Sequence, residues 1–310
     1  MQALQTGKTP GQRSRPSNGR GVAGRLRART RQRLAIIVLV GPAIVLLLGA
    51  LFVPAVNLLV KSVVESTGYG QVAYHFTFSN YVSAVTTPGY LTVALNAFGI
   101  GALAAVICTA ASYPIAYFIN FRLRRGKNLA LFLVVASLFS SYLVRLYAWY
   151  TILGIHGVLN DALVRLGVIK QPLLFLLFNR WAVLIAFVNI FLPYTILMIS
   201  SAMQNIQKDL LESARVLGAS PFRTFSRVLL PLTMTGAVGA LAYTFILSSG
   251  DYITPALLGG LNGEFVGQIV SNQFIALGDV PLGAAISFVM LAVFLAVYFA
   301  LTRLERFKGI

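Results

Sequence analysis

Six long apolar runs, separated by short polar stretches, dominate the chain. Each run is long enough to cross about 30 Å of hydrocarbon as a helix. The apolar positions are continuous rather than alternating, which argues against a membrane β-barrel, and backbone inside lipid must satisfy its own hydrogen bonds. The pattern therefore predicts an all-α integral membrane protein with six transmembrane helices. The predicted spans are 34–60, 91–119, 129–153, 181–202, 231–249 and 282–302.

The polar stretches contain shorter predicted elements. Within 154–180, Leu159, Leu163 and Leu166 recur at helical spacing before Gly167, which predicts a short surface helix that ends at this glycine. The apolar run 173–178 is too short to cross a bilayer and is interpreted as a buried or interfacial piece.

Composition and charge fit this picture. The chain is 57% hydrophobic, with a mean hydropathy of +0.80, which excludes a soluble globular protein. Most of the basic residues behind the net charge of +17 lie in every second connection of the six-helix count, and so on one side of the membrane. Nine Lys or Arg lie in 1–33 alone. This is the positive-inside bias, so it indicates topology rather than nucleic-acid binding and predicts that both termini are cytoplasmic. The tail 1–33 is predicted to be disordered and is not interpreted as a cleaved signal peptide.

The polar stretch 208–231, KDLLESARVLGASPFRTFSRVLLP, separates the fourth and fifth apolar runs. Leu210, Ala214 and Leu217 lie at helical spacing, Gly218 is suited to ending a helix, and Ser220 with Pro221 is suited to starting the next one. The stretch therefore predicts a helix, a sharp turn and a second helix. Such an amphipathic pair could lie on a lipid surface or dock into a groove of a partner protein, and the residues alone do not separate these two interpretations.

A spaced motif runs through the same stretch. From Glu212 it reads Glu-Ser-Ala, three residues, Gly218, nine residues, then Val228-Leu-Leu-Pro231. This resembles the loop of ABC importer permeases that reads Glu-Ala-Ala, three residues, Gly, nine residues, Ile-x-Leu-Pro. Ser213 replaces the first alanine and Val228 replaces the isoleucine, and both are conservative changes.

The resemblance implies an ABC importer type I permease fold, with a transmembrane domain over 89–303 that carries a cytoplasmic coupling loop at 203–230. The first transmembrane helix and a periplasmic segment would occupy 34–88, and a short cytoplasmic tail 304–310. It also implies that the loop docks on a separate ATPase subunit, which would bind ATP and Mg²⁺, while this chain would bind no cofactor. The residues assigned to coupling on this basis are Glu212, Ser213, Ala214, Gly218, Pro221 and Pro231.

Ionisable residues near the outer ends of the spans are the candidates for a solute pathway. Arg145 lies in the outer half of the third span, where it either reaches the outer interface or faces the bundle interior and orders Asp161 or Asp251. The aromatic residues after it could equally form an interfacial belt. The pathway residues proposed from the sequence are Arg145, Tyr147, Trp149, Asp251, Tyr252 and Thr254.

Asp251 follows Gly250 at the end of the fifth span, and Pro255 comes soon after it. This predicts a broken helix whose free carbonyls and carboxylate could meet a cation. The last outer loop, 250–281, contains no Lys or Arg, which would suit an ammonium-bearing solute but also follows from the positive-inside bias.

Further motifs make the chain similar to the first permease subunit of spermidine/putrescine importers. They include Ser141-Tyr-Leu-Val-Arg-Leu-Tyr-Ala-Trp149, Gly157-Val-Leu-Asn160 and Gly250-Asp-Tyr-Ile-Thr-Pro-Ala-Leu-Leu-Gly-Gly260. The resemblance implies a second permease subunit, two ATPase subunits and a periplasmic binding protein that delivers a polyamine.

Three alternatives remain on the sequence alone. The first is a permease of the same machinery for another solute, such as an organic anion or a metal chelate. The second, a secondary transporter, would need more ionisable residues inside the spans. The third, a membrane enzyme, would need a catalytic cluster, whereas the two histidines, His75 and His156, lie far apart and no G-x-S-x-G motif is present.

Overall fold

A computed structural model describes the backbone of residues 19–123, 125–260 and 263–308, and the side chains of 40–123, 125–260 and 263–303. It is mainly helical, with one short hairpin. The chain divides into two compact units, 1–57 and 58–310. The first unit contains most of α1 (Gly19–Ser62), and within it Leu46, Leu47 and Val53 are largely exposed, as expected of a lipid-facing helix.

The elements of the second unit follow in chain order. They are β1 (Val64–Gly68), β2 (Gln71–Phe76), α2 (Ser79–Thr86), α3 (Tyr90–Tyr117), a first π-helical segment (Phe118–Arg122), α4 (Lys127–Leu138), α5 (Tyr142–Leu153), α6 (Val158–Arg165), a 3₁₀ turn (Leu174–Leu176), α7 (Arg180–Gln204), α8 (Lys208–Val216), α9 (Pro221–Thr224), a second π-helical segment (Phe225–Leu229), α10 (Leu230–Leu232), α11 (Met234–Gly250), α12 (Ile253–Leu258), α13 (Val266–Ile275) and α14 (Val280–Lys308).

The membrane spans agree with the sequence in number but not in continuity. Among the described residues, four helical stretches are long and apolar enough to cross a membrane, namely Val40–Ser62, Tyr90–Arg122, Arg180–Gln204 and Val280–Arg303. Two further spans are possible, each made of two helical pieces joined at a bend. One consists of α4 followed by α5–α6, and the other of α9–α10 followed by α11. Their bends are 86° and 75°. The prediction of a continuous helix over 129–153 is therefore wrong. Most of the predicted span 231–249 is the continuous helix α11, and the bend lies at its start.

The break in the third span lies at Phe139–Ser141, where neither glycine nor proline signals it. The carbonyl of Ser140 loses its intrahelical partner there, and the Arg145 guanidinium donates a hydrogen bond to it at 3.0 Å. Since a free carbonyl is costly at membrane depth, this bond compensates for the break.

The break before the fifth span lies at Thr233, two residues after Pro231, where the predicted span 231–249 begins. Pro231 lies inside the helical turn α10, directly after the second π-helical segment. The Thr233 hydroxyl donates back to the Leu229 carbonyl at 2.8 Å, which helps to satisfy the backbone at the bend.

Helices extend into both predicted tails. Residues 19–33, predicted to be disordered, belong to α1, and α14 continues through the predicted tail to Lys308. Both segments are rich in Arg, Leu and Ala or aromatic residues, which extend a helix once an adjacent apolar helix has nucleated it. The rest of the predicted disordered tail, 1–18, lies outside the described residues.

The core of the second unit is a packed trio of α3, α7 and α11. Close approach of α3 and α11 depends on Gly101, because a Cβ at this position would lie 2.1 Å from the Ser249 hydroxyl oxygen. Cys108, on the same helix, is fully buried, and its thiol donates to the Val188 carbonyl at 3.8 Å.

We predict that Gly101→Leu destabilises the protein in detergent by about 1–3 kcal/mol, because the new side chain forces α3 away from α11. Thermal unfolding of the purified chain measures this change. Gly99→Leu is the matched control, since nothing lies within 4 Å of a Cβ at Gly99 on the same helix. Equal losses of stability in the two variants would contradict the packing role of Gly101.

The outer segment before α3 contains a hairpin that the sequence did not predict. Strands β1 and β2 pair antiparallel, and Asn80, at the start of α2, donates to the carbonyls of Ser62 and Val64 at 3.1 and 2.8 Å. The Tyr69 hydroxyl at the hairpin tip donates to the Ile275 carbonyl at 3.2 Å. The base of the hairpin is therefore hydrogen-bonded to the start of α2, and its tip is hydrogen-bonded to the last outer stretch.

The second outer stretch has the predicted short helix. α6 ends before Gly167, whose φ of +70° is favoured by glycine. Asn160 is fully buried and bonds to the carbonyls of Gly154 and Leu173 and to the Leu173 N–H. The Gly157–Asn160 motif therefore holds this outer loop together.

Candidate functional site

Two regions contain the residues proposed from the sequence. The first is the loop 203–230, and the second is a cavity beside the break between α11 and α12. They are described in turn.

The loop 203–230 forms the predicted helix–turn–helix. α8 ends in a Schellman-type turn, because the Gly218 N–H bonds to the Arg215 carbonyl at 2.9 Å and the Ala219 N–H bonds to the Ala214 carbonyl at 3.0 Å. Gly218 has φ +82°, so glycine is favoured there. The Ser220 hydroxyl then accepts from the Arg223 N–H at 3.3 Å, and Pro221 occupies the first turn of α9.

The apolar side chains of this loop are divided between two directions. Leu211 is buried and Phe225 packs edge-on against Tyr113 at 5.3 Å, which anchors the loop on the bundle. In contrast, Val216, Leu217 and Phe222 are 87%, 87% and 77% exposed around the Gly218 turn. Of the residues that the sequence places at helical spacing, Leu210 is 47% exposed and Leu217 lies at the tip, so the apolar edge of α8 is largely open to a partner.

We name these three exposed residues and the Gly218 turn the loop tip. A compact exposed apolar patch on a short turn is a surface suited to docking into a partner's groove. Of the other coupling candidates, Glu212 and Ser213 are exposed on α8, Ala214 is half-buried, and Pro221 is exposed next to the tip. Pro231 lies away from the tip, in α10.

The second region is a cavity of about 570 Å³, which we name the outer cavity. Its lining residues come from the break after α4, from α5, α7 and α11, and from the α11–α12 junction. They are Leu138, Ser140, Tyr142, Arg145, Ile190, Phe191, Tyr194, Tyr243, Ile246, Leu247, Gly250, Asp251 and Tyr252.

Asp251 directly follows α11 and lies two residues before α12, so the helix is broken here as the sequence predicted. Its carboxylate accepts a hydrogen bond from the Ile253 N–H at 2.9 Å and further bonds from the hydroxyls of Tyr142 and Thr254. Tyr142 and Thr254 also bond to each other at 2.6 Å. The carboxylate is therefore held in a fixed orientation by α5 and α12 at the wall of the outer cavity.

The freed backbone carbonyls take a different direction from the one expected. The Gly250 and Asp251 carbonyl oxygens lie 2.6 and 3.0 Å from the position of a Cβ at Gly267, so they pack against the start of α13. The expectation that they meet a cation together with the carboxylate is not supported by this geometry.

Arg145 faces the interior but does not order either of the predicted acids. Its guanidinium donates to the carbonyls of Ser140 and Ile190, at 3.0 and 3.5 Å, and among the described residues it has no carboxylate partner. It lines the same cavity as Asp251, which places one fixed positive and one fixed negative group on its wall.

The remaining pathway candidates separate by position. Tyr252 lines the outer cavity and Thr254 supports Asp251 from a fully buried site. Tyr147 is 57% exposed and Trp149 packs against the hydrophobic core, and neither lines the cavity.

Three tyrosines of the cavity were missed by the sequence interpretation: Tyr142, Tyr194 and Tyr243. The rings of Tyr194 and Tyr243 pack with a 42° tilt and centroids 5.4 Å apart, and Phe191 meets Tyr243 edge-on at 6.4 Å. The available signal was the placement of phenolic side chains inside otherwise apolar spans, but only the packing of α7 against α11 shows that they face one another.

Comparison with known families now identifies the chain. The family model described as "Binding-protein-dependent transport system inner membrane component" matches residues 112–308, which include the loop 203–230 and the α11–α12 junction. The chain belongs to this family. It is thus an inner-membrane permease component of an ABC transporter.

Relatives of this permease cover most of its length. It is 34% identical over 262 residues to the spermidine/putrescine transport system permease protein PotB of Haemophilus influenzae, which covers 83% of this chain and 91% of that protein. It is 31% identical over 260 residues to the PotB protein of Escherichia coli, with coverage of 83% and 94%.

A solved structure confirms the fold of the permease. One chain of a bacterial alginate ABC transporter, in complex with an alginate-bound periplasmic protein, superposes with a TM-score of 0.76. It is 16% identical and covers 92% of this chain and 100% of that one. The ABC importer permease fold expected from the sequence is confirmed.

Proposed function

We propose that this permease forms the translocation pathway for a polyamine, spermidine or putrescine, in an ABC importer of the inner membrane. A periplasmic binding protein delivers the solute, a second permease subunit completes the pathway, and separate ATPase subunits supply the energy. Both termini are cytoplasmic. The permease itself binds no cofactor, and ATP with Mg²⁺ belongs to the ATPase subunits.

The observation that carries the solute assignment is the fixed carboxylate of Asp251 in an aromatic cavity. A carboxylate forms charge-assisted hydrogen bonds with an ammonium group, and aromatic faces attract the same cation. Tyr194, Tyr243 and Tyr252 supply such faces on the cavity wall. A volume of about 570 Å³ lies in the range of small-molecule sites. The names of the two PotB relatives support the same class of solute.

The exposed loop tip indicates how ATPase closure is coupled to movement of the transmembrane helices. Docking of the exposed apolar tip in an ATPase groove transmits ATPase closure to α8 and α9. The contacts of Leu211 and Phe225 then pass this movement to the transmembrane bundle. Glu212 and Ser213 lie on the exposed surface of the helix that leads to the tip, where they can contact the same partner.

Arg145 favours a second candidate, a permease of the same machinery for an anionic solute. Its guanidinium lines the outer cavity, as the carboxylate of Asp251 does. However, both of its hydrogen bonds go to backbone carbonyls beside the helix break and on α7, which is a structural use of the charge. We therefore place the cationic solute first.

The test is uptake of labelled spermidine by proteoliposomes that contain the complete transporter, with its binding protein outside and ATP inside. We expect uptake that needs both the binding protein and ATP and that unlabelled putrescine reduces. Uptake driven by an ion gradient without ATP would overturn the proposed mechanism. ATP-dependent uptake of an organic anion, with no spermidine binding to the binding protein, would overturn the solute assignment.

A further inference from the structure

A second cavity lies at the opposite end of α3 from the hairpin, beneath α8 and α9. Its volume is about 610 Å³, and we name it the basal cavity. Its walls come from the last turns of α3, the first π-helical segment, α8, α9 and the second π-helical segment. π-helical segments are rare and are frequent at functional sites, and here two of them border one cavity.

The mouth of the basal cavity is cationic. Arg122 and Arg215 both line it, and the Arg215 guanidinium donates to the Tyr117 hydroxyl at 2.6 Å. Within the described residues, neither arginine is paired with a carboxylate. A smaller adjoining cavity of about 210 Å³ shares both arginines and adds Lys208 and Glu212, so three positive groups face one negative group.

The interior of the basal cavity is largely apolar, and one of its polar side chains, Thr224, has an unsatisfied hydroxyl. Ala110, Pro114 and Leu229 contribute apolar surface. The Thr224 side chain is only 6% exposed, and its oxygen has no hydrogen-bond partner although it lines the cavity. A buried polar group without a partner is costly, so this hydroxyl indicates a ligand with an oxygen acceptor.

The cavity continues onto a lipid-facing surface. On α3, Val106 is 56% exposed and lies one helical turn from Ala110, which is itself exposed at the cavity wall. Arg122 is the last residue of the apolar helical stretch Tyr90–Arg122, and the ends of a stretch long enough to cross the hydrocarbon are where lipid headgroups are expected. A molecule in this position would have its charged part at the arginines and its apolar part along α3.

We propose that the basal cavity binds one anionic phospholipid from the leaflet on the coupling-loop side of the membrane. The phosphate lies between Arg122 and Arg215, the Thr224 hydroxyl donates to an ester or phosphate oxygen, and an acyl chain follows Ala110 and Pro114. Basic pockets at the ends of transmembrane helices on the cytoplasmic side have the charge that anionic headgroups require. Since the walls of the basal cavity include α8 and α9, the bound lipid contacts and stabilises the base of the coupling loop.

This site is distinct from the surface proposed for the ATPase. Val216, Leu217 and Phe222, which form the loop tip, do not line the basal cavity. The loop tip and the basal cavity therefore offer different residues to their partners, although Pro221 borders both and Glu212 lines the smaller adjoining cavity. The lipid site does not depend on which solute is transported.

The test measures lipid retained by the purified, complete transporter by native mass spectrometry. The complex is reconstituted in vesicles of phosphatidylcholine with one-fifth phosphatidylglycerol and extracted in mild detergent. We expect one tightly held phosphatidylglycerol per copy of this chain. Arg122→Gln with Arg215→Gln should weaken retention by about 25-fold, or about fivefold for each arginine.

Two further variants protect this test from a folding defect. Ala110→Phe, at an exposed wall position, should displace the lipid by filling the cavity while leaving both arginines in place. Arg223→Gln, on α9 but outside the cavity lining, should leave retention unchanged. Retention unaffected by both Ala110→Phe and the double arginine variant would overturn the proposal. Displacement of the lipid by glycerol phosphate at equal concentration would also overturn it, since the cavity would then be a site for small anions.

Discussion

Replacement of Gly218 by tryptophan should reduce ATP-driven uptake by about 100-fold, although the protein should fold and reach the membrane. Nothing lies within 4 Å of a Cβ at Gly218, so the new side chain starts in open space at the loop tip. The backbone strain at φ +82° costs only about 1–2 kcal/mol. A displaced docking surface can reduce turnover by about two orders of magnitude when alignment is lost.

Gly167 offers a matched control for the strain alone. It ends α6 with φ +70° and is equally open, but it lies in the second outer stretch, far along the chain from the coupling loop. Gly167→Trp should therefore lower stability by a similar amount and leave ATP-driven uptake near normal. Gly218→Asn should also retain uptake, because asparagine tolerates the left-handed region and is small. Normal uptake by Gly218→Trp at normal protein level would show that the tip does not couple to the ATPase.

Replacement of Asp251 by asparagine should reduce spermidine uptake by about 10- to 100-fold, the loss expected when a charge-assisted hydrogen bond to a cation becomes a neutral one. Asparagine keeps an oxygen that can accept from the Ile253 N–H, so α12 should still begin at the same place. The measurement is the initial rate of uptake at saturating binding protein. Binding of spermidine to that protein provides the internal control, because it should not change.

Further variants show whether the transported solute is a cation or an anion. Asp161→Asn removes another outer acid, which is exposed on α6 and does not line the outer cavity, and it should leave uptake unchanged. If Asp251→Asn transports spermidine normally, the carboxylate does not serve the solute. If it instead accelerates uptake of an organic anion while Arg145→Gln abolishes it, the anionic alternative is correct.

The chain shows two kinds of error in sequence interpretation, and both concern membrane helices. Apolar periodicity locates a segment in the membrane but does not show whether the helix is continuous. The 86° bend after α4 contains no glycine or proline, and it persists because Arg145 bonds to the freed Ser140 carbonyl. Conversely, Pro231 suggested a boundary, yet it lies within a helical turn and the bend follows at Thr233.

The candidate sites differ in how far they could be predicted. The coupling-loop geometry is local, so the spacing of Gly218, Ser220 and Pro221 was sufficient to predict the turn and the second helix start. The outer cavity combines residues more than 100 positions apart, such as Tyr142 and Asp251. The sequence pointed to Asp251 but not to Tyr142, because no local pattern relates two residues so far apart in the chain.

The sequence by itself determined what depends on short-range chemistry: the membrane class, the approximate spans, the turn at Gly218 and the helix break at Asp251. Hydrophobic run length, glycine conformation and capping act over a few residues, so they can be read along the chain. Only the tertiary structure decided where the spans bend, which side of α8 packs inward, and which tyrosines surround the carboxylate of Asp251. These depend on how α3, α7 and α11 pack together, and that packing is a property of residues distant in sequence.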